Sequence, residues 1–425
     1  MSLIIPANTL ASGGYAVDNS CRFNDGSSDY MHKTPSSAGN LRTWTFSTWF
    51  KRGSISLGQK IFSVKKDASN SFESYFNTDD TLAFYHYSSN GGVTDAFLGT
   101  NQVFRDTSAW YHIVFSVDTT QGTGSNRVKM YVNGSQVTSF STAIYFNQNY
   151  DTYIDSANEH RIGANLNNSV SQFFDGYLAE TVLIDGQQLD ATSFGEFDSD
   201  SSIWKPISVS GLTFGTNGFH LDYQDSANLG NDANGGTDFT EVNLTAIDQS
   251  TDTCTNNFCT WNPLDVNAIT LSEGNLSAGS TGATWKSTRG TFGISQGKWY
   301  WEIKATASGS GYDAAVGVGL FTLPIASYGE WFGANPSVVY SAGGNKAVNG
   351  SETSYGDSWT VGDIIGVAFD ADNLTVTFYK NGTSQGTITT GWSANTYAVE
   401  ICLYGRGGGT TSASTNFGSP PFAIS

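Results

Sequence analysis

Few sets of side chains in this 425-residue sequence are spaced for chemistry. Hydrolysis of a glycosidic bond takes two carboxylates across one cleft, about 5–10 Å apart. On a sheet they often occupy alternate positions of one strand, yet no Glu-x-Asp-x-x-Glu pattern occurs. Glu302, in Trp301-Glu302-Ile303, and Glu180 stand singly, and each reads as the solvent-facing alternate of a strand. There is no His-Glu-x-x-His, no phosphate-binding loop and no Gly-x-Ser-x-Gly elbow of the strand–turn–helix kind. The five histidines are scattered and read as surface or strand residues. Catalysis is not expected.

Binding groups are more plentiful. Asp151…Asp155…Glu159 and Asn231-Asp232-Ala233-Asn234…Asp238 place hard oxygens on loops. Asp151, Asp155, Glu159, Asp232 and Asp238 are therefore candidate ligands for Ca2+, although such loops also form turns without metal. No cofactor is required. Sugar recognition calls for an aromatic face beside amides and carboxylates. The segment Pro324–Ser358 sets Tyr328, Trp331, Phe332, Tyr340 and Tyr355 among Gly and Asn, and these five are the candidate ligand-binding residues. In the other reading, Trp331 and Phe332 plug the end of a folded core. Tyr85-His86-Tyr87 with Asp95 is a lesser grouping of the same type.

The elements that must carry these residues are strands. Polarity rests on Ser, Thr, Asn and Gly, with 48 glycines and only 14% charged residues, a composition suited to strands and turns. Aromatic residues make up 14% of the chain, ample material for cores. No window of a dozen residues has helical periodicity, so the fold class is all-β. The length calls for two or three domains. In Trp359–Gly382, the apolar runs Ile364–Phe369 and Leu374–Tyr379 flank Asp370-Ala371-Asp372-Asn373, and the second run ends in Asn381-Gly382. That is a hairpin followed by another tight reversal, with Leu374, Val376 and Phe378 on one face. Val128–Val132 followed by Asn133-Gly134 repeats the design upstream. Trp44, Phe46, Thr48 and Phe50 share one side of a further strand.

The net charge of −18 repels phosphate backbones and anionic headgroups, so nucleic acid is not an expected partner. No run nears the ~20 apolar residues of a membrane span, so no membrane insertion is expected. The start, MSLIIPANTLASGG, lacks the basic region of a signal peptide. Four cysteines are too few for a disulfide scaffold, though Cys254 and Cys259 are close enough in sequence to pair. No histidine pair stands by to complete a zinc site.

The order RFNDGSSDYM, WTFSTWFK, WYHIVFSVD, VKMYVNG, HRIG and FFDGYLAETVLIDGQQLD resembles the laminin-G-like, concanavalin-A-like jelly rolls over roughly Tyr15–Phe197. The resemblance implies two packed antiparallel sheets with ligand loops at the rim, and such domains often hold calcium there. GKWYWEI, AVGVGL, VGD and YKNG, in that order within 269–425, resemble a SPRY domain, another β-sandwich that binds partners through loops. The expected division is an arm at 1–14, a sandwich at 15–197, a packed connector at 198–268 and a sandwich at 269–425. The opening segment and TNGFHLDYQDSANLGNDANGGTDFTEVNL…TNNFCTWNPLD resemble structural, tail-fibre-like or lectin-like proteins of bacterial viruses. That implies a non-enzymatic virion surface protein, assembled in the host cytoplasm, with other virion proteins as partners. It would be a homo-oligomer, a trimer being one form, with host cell-surface carbohydrate as a further partner. The competing readings are a purely architectural virion subunit and a glycan-cleaving enzyme.

Overall fold

A computed structural model describes residues 14–67, 69–89, 92–166, 170–308, 311, 313–321, 336–393, 395–405 and 409–418. Almost every element is a strand, as the patterning predicts; among the described residues the one α-helix is the single turn Gly124–Arg127. Two compact units divide between Asn257 and Phe258.

In the first unit, one antiparallel sheet runs in the order Ser135–Gln136, Val128–Val132, Tyr111–Asp118, Thr43–Arg52, Gly176–Asp185, Ser20–Phe23, Gln249–Ser250. Phe219–Leu221 pairs alongside Gly176–Asp185. The second sheet runs Phe140–Ile144, Val93–Val103, Thr81–Ser88, Asn70–Phe76, Gln59–Asp67, Glu159–Ile162, Tyr30–Lys33, Thr240–Val242. Period-2 alternation sends Trp44, Phe46 and Phe50 into the space between the sheets, where Phe46 stacks on Phe62 at 4.6 Å. Such rings supply much of the burial energy, and a Phe→Ala change there costs about 3–5 kcal/mol.

Segment 198–257 belongs to this unit. Its short strands complete both sheets, and Lys51 Nζ, fully buried, donates to Asp252 and Asn257 at 2.8 Å each. Trp110 Nε1 donates to the same Asp252 at 2.9 Å. Buried charges persist only when paired in this way.

In the second unit, one sheet is ordered Trp261–Asn267, Trp285–Gly290, Tyr397–Tyr404, Asp313–Leu320, Ser337–Ser341, Asn345–Val348, Ser351–Ser354. The other is ordered Thr270–Ser272, Ser277–Ser280, Thr411–Asn416, Lys298–Ala307, Ile364–Asp370, Thr375–Lys380, Thr383–Thr389. Val376 and Phe378 are fully buried between them. Both Asn-Gly turns have the two positive φ values of a type I′ reversal, 45° and 78° at Asn133-Gly134 and 47° and 79° at Asn381-Gly382.

Candidate functional site

Glu302, Glu180 and His112, three groups capable of acid–base chemistry, are committed to structure. Glu302 and Glu180 do not face solvent as expected, because each finds partners that offset its burial. Glu302 accepts from Tyr300 Oη at 3.1 Å and Asn416 Nδ2 at 3.2 Å, and Glu180 pairs with His220 Nε2 at 3.0 Å. The Ser47 Oγ–His112 Nε2 contact of 2.8 Å resembles a nucleophile and its base. However, Trp204 Nε1 donates to His112 Nδ1 at 3.0 Å, so the ring proton sits on Nε2 and points at the serine. Burial pushes His112 down to about 3, and the ring stays neutral. Gly-x-Ser-x-Gly strings occur at Gly293–Gly297 and Gly382–Gly386, but no helix follows either serine. All four cysteines are buried, and no disulfide joins Cys254 to Cys259.

The candidate metal ligands separate. Asp151 turns outward to Arg42 Nε at 2.6 Å, while Glu159 pairs with Arg161 Nη2 at 2.7 Å. Asp155 enters the interior at 0% exposure, and neither carboxylate oxygen has a hydrogen-bond partner. Burial, with Asp185 nearby, holds its carboxyl well above the usual range. Asp238 is exposed and accepts from the Asp232 backbone N at 3.0 Å. The cation beside the buried Asp232 is Lys33, whose Nζ lies 3.8 Å from Oδ2 and 4.7 Å above the rings of Phe219 and Phe239. Asp155 and Asp232 thus share the field of a lysine ammonium. Among the described residues no three His, Cys, Asp or Glu converge as a metal site.

Of the candidate sugar-binding aromatics, Tyr328, Trp331 and Phe332 lie outside the described residues. Tyr340 is a core residue at 0% exposure, because Ser337–Ser341 is a central strand and alternation turns this ring inward. Its hydroxyl donates to the Asp357 carbonyl. Tyr355 is half-buried edge-on against Tyr340 at 5.4 Å, and its hydroxyl donates to the Gly386 carbonyl. These two rings pack against each other and offer little to a sugar.

The lesser grouping is the better placed one. His86 turns into the core and bonds Asp95 at 3.1 Å, while Tyr85 and Tyr87, two residues apart, share the outer face of the second sheet. Their rings stack at 4.9 Å and 29°, and Phe97 meets Tyr85 edge-on at 5.4 Å. All three are partly exposed. Register continues the row from Phe97 and Tyr85 to Glu73, which holds Lys60 Nζ at 2.6 Å. That ammonium lies 3.4 Å over the Tyr75 ring. Tyr87 Oη donates to Glu73 at 3.4 Å. Burial and the Glu73 charge push Tyr75 and Tyr87 up to about 12, so both stay protonated donors. Toward Gln59–Asp67 the face is walled, with Ser63 Oγ donating to the Ala164 carbonyl.

At the rim, residues 38–42, Asp151, Asp185, Gly186, Gly215 and Thr216 line a groove of about 690 Å3. Asp185 is its keystone, accepting from the backbone N of Asn40, Thr216 and Asn217 at 2.8, 3.1 and 3.1 Å. A Cβ on Gly39 would stand 2.0 Å from Asp185 Oδ2, so only glycine fits there.

The two antiparallel sandwiches define an all-β protein of lectin-type architecture. Residues 25–189 match the family described as the Concanavalin A-like lectin/glucanases superfamily, and 298–416 match the SPRY domain. The first unit therefore contains a concanavalin A-like, laminin-G-like domain, and the second contains a SPRY domain. Among solved structures, the SPRY domain of human HERC1 is similar at 18% identity, covering 37% of this chain and 98% of its own, with a TM-score of 0.33. Stonustoxin is 22% identical over 37% of this chain and 27% of its own, with a TM-score of 0.29. The native heptameric SAP-like pentraxin from Limulus polyphemus is 16% identical over 41% and 78%, with a TM-score of 0.31. No curated protein matches the chain.

Proposed function

We propose that this protein is a non-enzymatic surface subunit of a bacterial virus, of tail-fibre or head-decoration type, that holds host-surface glycan on its first sandwich. The observation carrying the glycan reading is the partly exposed Phe97–Tyr85–Tyr87 face beside the Glu73–Lys60 pair. Rings of this kind receive the apolar face of a pyranose, while the phenol hydroxyls bond its hydroxyl groups; the Glu73–Lys60 pair is buried beneath them and holds the tyrosines in place. The commitment of Glu302, Glu180 and His112 to internal partners supports binding without cleavage. The virion placement rests on the viral resemblance of the opening and 216–265 segments.

Glycan-array binding of the full chain, followed by calorimetry on the best ligand, tests the reading. Tyr85→Ala/Tyr87→Ala should weaken binding at least about tenfold, which corresponds to about 1.4 kcal/mol, with thermal stability retained. Binding that ignores the double substitution would refute the site. Unchanged particle adsorption with lost assembly would favour a purely architectural subunit. Labelled antibody on intact particles tests the virion placement.

A further inference from the structure

The second sheet of the first unit ends at Phe140–Ile144, which pairs with Val93–Val103 on one side only. Ser141, Thr142, Ala143 and Ile144 are all exposed, and among the described residues no backbone hydrogen bond from another segment reaches the strand's free side. Such an edge presents unpaired N–H and C=O groups, and folded proteins usually guard it with lysine, proline or a covering segment. Here the guards are missing. From Met130 to Tyr150 there is no Asp, Glu, Lys, Arg, His or Pro. A register shift falls between Phe140 and Thr142, after which Thr142, Ala143 and Ile144 pair in step with Gly99, Leu98 and Phe97. Exposed apolar side chains flank the edge, Ile144 on the strand itself and Val93 and Val103 at the two ends of its neighbour.

We infer that this edge pairs with the same edge of a second copy of the chain, antiparallel, about a two-fold axis. The charge balance selects that occupant. A chain carrying −18 repels its own copies across most of its surface, and a stretch without ionisable groups lets two copies approach. Antiparallel self-pairing is also self-complementary, each strand meeting its own donors and acceptors across the axis. The exposed strand Thr383–Thr389 of the second unit is likewise uncharged, but it is engaged already: its Gly386 carbonyl accepts from Tyr355 Oη, and its Gln385 side chain accepts from the Asp357 backbone N at 2.8 Å. Pairing at Phe140–Ile144 would join two eight-stranded sheets edge to edge. Because the axis stands normal to the joined sheet, both Phe97–Tyr85–Tyr87 faces would point to the same side. The pairing itself does not depend on those faces binding sugar.

Sedimentation velocity of the full chain over a micromolar concentration series tests the pairing. The expected mass is twice 45.5 kDa. Thr142→Glu/Ile144→Glu, at two exposed positions, should raise the midpoint of dissociation at least tenfold without lowering the melting temperature. Thr383→Glu/Ser384→Glu on the other edge should leave it unchanged. Since the four native cysteines are buried, Ala143→Cys in an otherwise unchanged chain should give a disulfide-linked dimer on mild oxidation. A wild-type monomer throughout the series, an assembly larger than two, or association that survives T142E/I144E would overturn the inference. Association lost only in the Thr383/Ser384 variant would overturn it equally.

Discussion

Replacing Glu400 by glutamine isolates one buried charge in the SPRY domain. Glu400 lies on Tyr397–Tyr404, between Arg289 on one neighbouring strand and Gly317 on the other. It is 2% exposed, and neither carboxylate oxygen has a hydrogen-bond partner. A Cβ on Gly319 would lie 2.1 Å from Oε1, so the glycine makes room for the carboxyl. Arg289 spends its donors elsewhere, on Asp265 Oδ2 at 2.8 Å and on the Leu320 and Phe321 carbonyls at 2.7 and 3.2 Å. Burial pushes Glu400 from 4.5 up to about 8, with Arg289 opposing and Asp265 assisting. The folded state therefore holds a proton that the unfolded chain releases above pH 4.5. Stability must fall as pH rises from 4.5 to about 8, and the full penalty applies above that. At about 1.4 kcal/mol per pH unit the gap from 4.5 to about 8 amounts to about 5 kcal/mol, an upper figure because water entry relieves part of it. Urea unfolding of the full chain at pH 5 and pH 9, read by hydrogen exchange in peptides from Tyr397–Tyr404, should show that loss in the wild type. In Glu400→Gln the loss should largely vanish. Parallel pH dependences in the two proteins would refute the reasoning.

Two further changes probe the first unit. Lys33→Met removes the ammonium beside Asp232 and leaves a buried acid uncompensated, so unfolding free energy should drop by about 3–5 kcal/mol in chemical denaturation; a neutral result would mean that the Asp232 loop does not depend on that ammonium. Gly39→Ala drives a methyl group into Asp185 Oδ2 and should cost about 1–3 kcal/mol while raising amide exchange at Asn40, Thr216 and Asn217. Unchanged exchange there would show that Asp185 does not hold the rim loops together.

Much of the fold is legible because strands and tight turns write their geometry locally. The alternation at Trp44–Phe50 and the two Asn-Gly pairs need no distant information. The short strands Trp204–Pro206, Phe219–Leu221 and Thr240–Val242 are different, since three residues carry no period. They exist because the strands Gly195–Phe197, Gly176–Asp185 and Tyr30–Lys33 offer partners, so the segment expected as a connector reads as loop until those partners are in place. Sites suffered most from the same limit. Tyr340 sits in a Gly-rich stretch whose aromatics look displayed, yet one position's alternation decides inside from outside. Lys33 stands 199 positions from the acid it accompanies (232 − 33), and no local spacing ties a lysine to a distant loop in place of calcium. Tyr85 and Tyr87 were visible as a pair, but Phe97 and Glu73 join them only through strand register.

The way residues 219–250 finish both sheets bears on how such chains are cut and recombined. A break placed after Phe197, near where the family match ends at 189, would strip strands from two sheet edges and take Asp252 and Asn257 away from the buried Lys51 ammonium. The seam that leaves each half self-sufficient falls after Asn257. Any exchange of the C-terminal sandwich for another domain, by a laboratory or by recombining genomes, should therefore respect that position.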